Sequence, residues 1–570
     1  QKPQWRQHFD RKDLSDNDLI DDSECIADMK QASCFQDKRS FVYKYVFPEQ
    51  EYKLKKGRSV IISNNTNPDR SDYAGKIQEL DQIKRTLLLR KGISKDEKKL
   101  PRTLSISEKV MEHARFENLN KNIYSFCENV IEKKSGFEAI KSFLNRDIPK
   151  IKGKKLGEKI INSENFTEEI PNIINNLEKS YLYLQGPPGS GKTYQAANAI
   201  IELLKNNKKV AVTANSHKVI HNLLGRIEIL ASNQNFIFKG LKMGNIENED
   251  TYFNGELIKT DKNEKHFINE LRENKTLLYA GTKYHLSQFY YRNKLDYLFV
   301  DEASQISVAD LVALGGIAKN IILVGDQMQL GQPVQGSHPG ESGKSVLDFL
   351  LEGKDTIAEN KGIFLNKTYR LHPSINAFTS KNFYEDRLLI NDHNINRQIE
   401  YKKNSIITKE GIHTILMDHK NRAQTCVEEF EIIKKLMDQL IGCKFKDYDN
   451  SERKISINDI LIVSPFNAQV NFLKSRLHKD AQCGTIDKFQ GAEAPITIIS
   501  MTSSSVEDLP RNKKFFFNRN RLNVAISRAQ CSSILLLNPK LLETPPSDYD
   551  EFKLLNNFQK LIKYKIKQRI

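Results

Sequence analysis

Long apolar runs are missing from this chain: no stretch approaches the ~18 consecutive apolar residues of a membrane-spanning helix, so no membrane partner is expected. Cysteine is scarce. The seven cysteines, Cys25, Cys34, Cys127, Cys426, Cys443, Cys483 and Cys531, are odd in number and scattered. With no C-x-x-C pair, they exclude a zinc ribbon or a disulfide frame and fit reduced thiols. The first residue is Gln1, with no charged-then-apolar leader after it, the pattern of a fragment or of a chain processed at its start. These features point to the cytoplasm, bacterial before any other, with a nucleus as the eukaryotic alternative. Disorder is excluded, because 39% of residues are hydrophobic and 28% charged. At 570 residues the chain is too long for one core, and three or four domains are expected. The formal net charge of +16 suits a polyanionic partner, most simply nucleic acid. A lysine-rich proteome produces the same excess without such a partner.

Residues 1–38 are polar and acidic-rich, with a weak helical stretch near 23–32, and are expected to be an N-terminal segment left from an upstream domain. Asp28-Met29-Lys30 has the acid-x-lysine form of some nuclease sites, but no preceding apolar strand carries a second acid, so it reads as solvated surface. From Arg39 the pattern becomes short strands, 41–46, 59–62, 75–80 and 86–89, separated by turn residues, which predicts a small barrel over 39–104. Residues 105–159 are expected to be a helical stalk and linker, with apolar positions Val110, Ala114, Phe116, Ile123, Phe126, Val130 and Ile131. Strands and helices then alternate, which means parallel sheets with helices on both faces. Apolar runs at 181–184, 210–213, 276–279, 295–300 and 321–324 place one such domain at 160–340, interrupted by a polar insert, about 233–273, read as an added subdomain. Runs at 362–365, 413–417, 460–463, 496–500 and 533–537, an amphipathic helix at 425–441 and a C-terminal packing helix from 552 place a second at 341–570.

The chain is organised around GPPGSGKT at 186–193, which directly follows one apolar strand and directly precedes a helix-forming run. Strand, glycine loop and helix are the context of a phosphate-binding loop, whose N–H groups converge on one anion. Lys192 would reach the outer phosphates as a point charge, and Thr193 would place its hydroxyl on Mg²⁺. Asp301-Glu302-Ala303-Ser304 ends another apolar run, where ligands bind in open α/β sheets. Asp301 would complete the Mg²⁺ shell with Thr193, and Glu302 would polarise an attacking water. Gly325-Asp326-Gln327-Met328-Gln329-Leu330 ends the next strand with a polar tip able to sense a γ-phosphate. Arg370, in Tyr369-Arg370-Leu371-His372-Pro373, and Arg528, in Asn523-Val524-Ala525-Ile526-Ser527-Arg528-Ala529, come from the second sheet and could close on a nucleotide held by the first. The stretch 485–493 pairs the turn glycine Gly491 with Glu493, a carboxylate able to take a ribose hydroxyl.

Taken together and in this order, GPPGSGKT, DEAS, GDQMQL, TYRLHP, DKFQGAE and NVAISRA resemble the motifs of superfamily 1 helicases. The B branch, which includes the nonsense-mediated-decay RNA helicase and the helicase portions of replication nucleases, is the most similar. QGPPGSGKTY with Ala214-Asn215-Ser216-His217-Lys218 is similar to a bacterial group that carries a RecB-like nuclease ahead of the helicase. The resemblance covers about residues 39 to 540. It implies two RecA-like domains with ATP and Mg²⁺ between them, and the barrel as an accessory domain. It further implies an ATPase set of Lys192, Thr193, Asp301, Glu302, Gln329, Arg370 and Arg528. The nucleotide would be bound by Gly186, Pro187, Pro188, Gly189, Ser190, Gly191, Lys192, Thr193, Tyr194, Tyr369, Gly491 and Glu493, with Tyr369 stacking on the base. Single-strand contacts would come from Ser216, His217, Thr282, Pro465 and Thr485, with movement 5′→3′ and DNA favoured over RNA.

Three departures stand out. No glutamine lies in 160–184, where the family reads adenine; Thr368 stands where many members have Gln; and ANSH replaces a proline-containing strand contact. No complete RecB-like nuclease is present, so cutting would need residues ahead of Gln1 or a partner chain. The leading expectation is an ATP-driven helicase. The alternatives are an ATPase that remodels or defends without unwinding, and a nucleic-acid scaffold with a decayed ATP site.

Overall fold

A computed structural model describes residues 3–20, 22–50, 52–64, 72–82, 84–93, 99–109, 114–163, 165–331, 338–489, 491–509, 513–543, 545–546, 548–564 and 567–569; Val110 and Gln490, used above, lie outside them. The chain divides into two compact units, and residues 466–479 cluster with the N-terminal one.

In that N-terminal unit, period-two patterning does the work. Strand β5 (Thr86–Gly92) buries Leu87, Leu89 and Lys91 and turns the residues between them outward. With β1 (Cys25–Asp37), β2 (Ser40–Val46), β3 (Ser59–Ile62), β4 (Tyr73–Asp81) and β6 (Thr103–Glu108) it forms a closed barrel in the order β1-β2-β5-β4-β3-β6. Closure leaves no strand edge open. Tyr43 and Tyr45 are 1% and 0% exposed inside it, so these aromatics pack the core. Gly75 has φ +120°, and a Cβ there would stand 2.5 Å from the Arg90 carbonyl oxygen, so the close β4–β5 approach requires glycine.

The barrel starts at Cys25 and ends at Glu108, which corrects the 39–104 boundaries and the helical expectation near 23–32. The reason lies in β1 itself. It breaks register between Ile26 and Met29 and again between Gln31 and Ser33, and its second half is largely exposed. Two bulges and a polar outer face erase the alternation that would mark a strand. Ahead of it lie helices Pro3–Lys12 and Asp16–Ile20.

The second unit holds both RecA-like parallel sheets. In the first, β7 (Tyr181–Gln185) and β8 (Val210–Thr213) are buried at every position, as expected of strands covered on both faces. They join β9 (Gly240–Met243), β10 (Ile258–Asp261), β11 (Leu278–Ala280), β12 (Leu295–Val300), β13 (Ala318–Gly325) and β14 (Gly362–Phe364) in the order β10-β9-β11-β8-β12-β13-β7-β14. Two expectations change here. The insert is no separate subdomain: β9 and β10 extend the same sheet, paired in parallel through β9 to β11. And β14, expected in the second sheet, pairs with β7 in the first. A short apolar run states that it is buried, not which sheet buries it.

The expected stalk begins as barrel strand β6 and becomes helical only in Ala114–Ile131 and Glu138–Leu144. Asn122 Nδ2 ties the longer helix to the first RecA-like lobe, donating to the carbonyls of Ser287 and Ala313 at 2.9 Å each. Val130 and Ile131, two of the apolar positions named above, are 47% and 79% exposed.

Beyond β14 the chain enters the second lobe. Here β15 (Lys367–Thr368) pairs with β16 (Leu389–Ile390), and β17 (Gln398–Glu400), β19 (Lys444–Lys446) and β20 (Glu452–Lys454) form a small antiparallel sheet. The main sheet comprises β18 (Gly411–Leu416), β21 (Ile460–Ser464), β22 (Gln482–Thr485), β23 (Ala494–Ser500), β24 (Ala529–Leu537) and β25 (Lys567–Arg569) in the parallel order β22-β21-β23-β24-β18-β25. Helix Val427–Leu440 buries Phe430, Ile433, Leu436 and Leu440 along one stripe.

Candidate nucleotide cleft and strand-binding positions

The glycine loop leaves β7 after Gln185 and enters helix Lys192–Lys205 through Gly191, whose φ of 82° is left-handed. Ser190 Oγ donates to the Pro187 carbonyl at 2.8 Å and folds the loop on itself. Lys192 Nζ donates to the Gly186 carbonyl at 2.7 Å, and a Cβ on Gly186 would lie 1.8 Å from Lys192 Cγ. A Cβ on Gly189, where φ is +70°, would lie 2.3 Å from Arg370 Cβ. Side chains at 186 or 189 would therefore collide with the lysine or with the second lobe. Tyr194 leans instead on the first lobe's hydrophobic core.

Two acids rise from neighbouring strand ends. Asp301, just past β12, is 4% exposed and accepts from the Glu302 N–H at 2.9 Å. Burial, then Glu302, push its carboxyl well above the usual carboxylate range, while Lys192 pulls it back. Glu302 holds φ 47° and ψ 48°, a left-handed backbone that a non-glycine residue adopts at a cost. Asp326, past β13, is also driven up by burial and held down first by Lys192. Its carboxylate accepts from Tyr384 Oη at 2.7 Å, Gln329 Nε2 at 3.0 Å and the Met328 N–H at 3.1 Å.

The Asp301 shift has a testable sign. Its folded-state pKa is raised, so the unfolded chain releases that proton at lower pH. Folding is penalised as pH rises above the ordinary carboxylate value, and the penalty levels off once the folded-state pKa is passed. Asp301→Asn is expected to raise the melting temperature of the metal-free chain at pH 8, with a smaller gain at pH 5. Equal melting temperatures at pH 8 would show that the ionised carboxylate is compensated.

The second lobe supplies the opposite wall. Thr368 Oγ1 donates to the Pro188 carbonyl at 2.9 Å, and the Tyr369 N–H donates to the Gly189 carbonyl at 2.8 Å. The threonine noted as a departure is thus a direct clasp on the glycine loop. Tyr369 is 55% exposed at the rim. Arg370 Nη1 donates to the Ser527 carbonyl at 3.2 Å, and its Nε donates to Glu493. Glu493 also accepts from Gln530 Nε2 at 3.1 Å; burial pushes its carboxyl up, but Arg370 and these donors bring it below the usual range. Arg528 is 2% exposed and donates from Nε to the Val524 carbonyl at 3.1 Å and from Nη1 to the Ala492 carbonyl at 3.0 Å. Burial, then Arg370, lower it to about 9, opposed by Glu302 and Glu493. Gly491 turns at φ +83° with nothing near its Cβ position.

Lys192, Asp301, Glu302, Arg370, Glu493 and Arg528 are therefore neighbours across one cleft. Gln329 lies beside it with its amide committed to Asp326. Sequence reasoning missed the lobe-to-lobe polar ties. Asn523 Nδ2 donates to the Met328 carbonyl at 2.8 Å and to Tyr384 Oη at 2.9 Å. Asn520 Nδ2 donates to the Gln327 and Gln329 carbonyls at 2.7 Å each. Arg519 grips Asp355 with two hydrogen bonds, at 2.8 and 2.6 Å. Asn523 sits inside a quoted motif, which was the available signal; Tyr384 and Asn520 had none.

The expected strand contacts also fall at strand ends. Ser216 follows β8 and caps helix His217–Asn233, accepting from the Val219 N–H at 3.3 Å. The His217 ring, lowered to about 4 by burial and then by Lys242, stays neutral at physiological pH. Thr282 precedes helix Lys283–Leu286 just past β11, Thr485 ends β22, and Pro465 follows β21 but is buried. In the first sheet these positions flank β8 and β11, while the nucleotide loop and acids cap β7, β12 and β13.

Fold and cleft together define a P-loop nucleotide-using protein with two RecA-like domains. Family models described as AAA domains match residues 172–341 and 343–540. By these models and by the relatives that follow, the chain is similar to superfamily 1 helicases of the Upf1-like group. It is 25% identical over 379 residues to the Schizosaccharomyces pombe DNA replication ATP-dependent helicase/nuclease dna2, covering 62% of this chain and 26% of that one. It is 25% identical over 415 residues to the S. pombe DNA polymerase alpha-associated DNA helicase A, covering 61% and 60%. It is 27% identical over 427 residues to a Danio rerio putative helicase, mov-10-B.1, covering 65% and 41%. The chain thus spans only part of the length of each of these relatives. Among solved structures, an arterivirus non-structural protein 10 helicase aligns with a TM-score of 0.37 and 10% identity, over 90% of this chain and 78% of that one. Among the described residues no helix is long and apolar enough to cross a membrane.

Proposed function

We propose that this chain is an ATP-driven motor that moves 5′→3′ along single-stranded nucleic acid, DNA before RNA, and separates the duplex ahead of it. The carrying observation is that one cleft is built from both lobes: Arg370 of the second lies against Gly189 of the first, with Lys192 and both strand-end acids on one wall and Arg528 on the other. The glycine cradle and the paired acids fit a nucleoside triphosphate with Mg²⁺, the metal being held by Thr193 and Asp301. Bound there, Mg²⁺ supplies neutralisation of phosphate charge. Lys192 takes the outer phosphates once it leaves the Gly186 carbonyl, Glu302 orients the attacking water, and Arg370 and Arg528 stabilise charge on the leaving side. Gln329, tied to Asp326, reports the state of the outer phosphate. Tyr369 covers the base at the exposed rim, and Glu493 exchanges Arg370 for the ribose as the cleft fills.

Loss of the outer phosphate removes what the arginines grip, so the lobes alternate between closed and open. A strand held at Ser216, His217 and Thr282 on one lobe and at Thr485 on the other, with buried Pro465 left out of contact, is moved by that alternation. Contacts of this kind are to the backbone, so binding weakens steeply with salt and discriminates little by sequence. The location proposed is the cytoplasm, and any cutting belongs to a nuclease domain or partner chain. The test is ATP hydrolysis with single-stranded DNA or RNA, alongside strand release from 5′- and 3′-tailed duplexes. Release from the 5′-tailed duplex alone is expected. Hydrolysis without release from either would replace the helicase reading with that of a remodelling ATPase.

A further inference from the structure

Away from the nucleotide cleft, the second lobe buries a histidine, a cysteine and a glutamate together. His419 follows β18, Cys426 is the N-cap of helix Val427–Leu440, and Glu429 lies in its first turn. The three are 2%, 0% and 0% exposed, and one donor atom from each lies within 4.8 Å of the others. His419 Nε2 stands 3.5 Å from Glu429 Oε1 and has no hydrogen-bond partner among the described residues. A buried ring nitrogen left in that state costs stability and calls for a physical reason.

The spacing supplies one. It is long for a hydrogen bond, but metal bonds of about 2.0–2.3 Å in a tetrahedron set ligand atoms about 3.3–3.8 Å apart. Each donor is also held from behind. His419 Nδ1 is 2.8 Å from Ser504 Oγ, and the tautomer that donates this Nδ1–H leaves the Nε2 lone pair facing the cluster. Glu429 accepts from the Thr502 N–H at 3.0 Å and from Ser500 Oγ. Cys426 Sγ accepts from the Glu429 N–H at 3.5 Å. Outer hydrogen bonds of this kind orient ligands and set the histidine tautomer.

We propose that His419, Cys426 and Glu429 form a binding site for a divalent transition-metal ion, with Zn²⁺ the ion best suited to the set. One thiolate, one carboxylate and one neutral imidazole balance a dication, so the buried site carries no net charge. The Cys426 proton leaves to solvent as the metal–sulfur bond forms. Three protein donors leave a fourth position for water. The ion would pin the segment that follows β18 to the turn into helix Val427–Leu440, whose Glu429 is itself hydrogen-bonded to Ser500 and Thr502, about seventy residues further on. Its role is to stiffen the second lobe, not to take part in hydrolysis.

The test uses the full chain, purified without a metal-binding tag. About one zinc per chain is expected by elemental mass spectrometry. After chelation, reloading with Co²⁺ should give a thiolate charge-transfer band. Cys426→Ser keeps a good helix-capping residue. It should lose at least ninety per cent of the metal and the Co²⁺ band, while ATP hydrolysis persists. Cys34→Ser, at an exposed position, should lose neither. If Cys426→Ser does not fold, the Co²⁺ band of the parent chain decides. Less than a tenth of an equivalent of metal, both as purified and after exposure to Zn²⁺ or Co²⁺, would overturn the proposal. So would a folded Cys426→Ser that still holds one equivalent.

Discussion

Lys192→Ala is expected to lower strand-stimulated ATP hydrolysis by about 10²–10³-fold, the usual cost of losing one preorganised charge-stabilising donor. The side chain does two things that alanine cannot. Its ammonium, now on the Gly186 carbonyl at 2.7 Å, is the cation within reach of the outer phosphates. It is also the positive charge that offsets burial at both Asp301 and Asp326. Without it, both carboxyls move further from ionisation, and the acid needed by the metal is neutral more of the time. Strand binding should stay within about twofold, because the proposed strand positions cap other strand ends. Steady-state hydrolysis and fluorescence anisotropy with a labelled single strand measure the two quantities separately. Unwinding at the parental rate by this variant would remove Lys192 from the chemistry.

Tyr384→Phe should instead uncouple hydrolysis from strand separation. The Tyr384 hydroxyl comes from the second lobe, yet it donates at 2.7 Å to Asp326 of the first and receives Asn523 Nδ2 at 2.9 Å. Asn523 in turn grips the Met328 carbonyl at 2.8 Å. The Asp326 carboxylate and the Gln327, Met328 and Gln329 carbonyls of this loop are thus answered from the second lobe. Phenylalanine keeps the packing and removes the proton that Asp326 accepts, leaving a buried carboxylate one donor short, at about 1–3 kcal/mol. If that energy links the two lobes, duplex separated per ATP should fall by about 5–150-fold, with hydrolysis itself changed less than about threefold. A double-mutant cycle with Asn523→Ala should be strongly non-additive. Parallel loss of hydrolysis and separation would mean that the tyrosine serves only to keep the lobe folded.

Much of this was legible in advance. The glycine loop, the strand-end acids and the two arginines were picked out because phosphate chemistry limits which residues can serve and where, and they stand close together in the fold. Both parallel sheets followed from apolar runs alternating with helices. The losses share one cause, which is that patterns along the chain do not report partners across it. β1 was missed because bulges and an exposed outer half broke its alternation. β14 was placed in the wrong lobe, because burial looks the same in either sheet. The insert looked separate for its polarity, although its two short strands extend the sheet. Tyr384, Asn520 and Asn523 were invisible as ties, since each is polar only in the ordinary way until its partner from the other lobe is seen.

The passage from β14 to the second lobe carries a last consequence. Leu365 donates its N–H to the Gln185 carbonyl at 2.9 Å, and Tyr369 donates to Gly189 at 2.8 Å, so the connection is stitched down at both ends of a four-residue span. Extended backbone yields at most about 3.3–3.6 Å per residue. The second lobe is therefore leashed: it can swing about the rim of the glycine loop but cannot slide away from it.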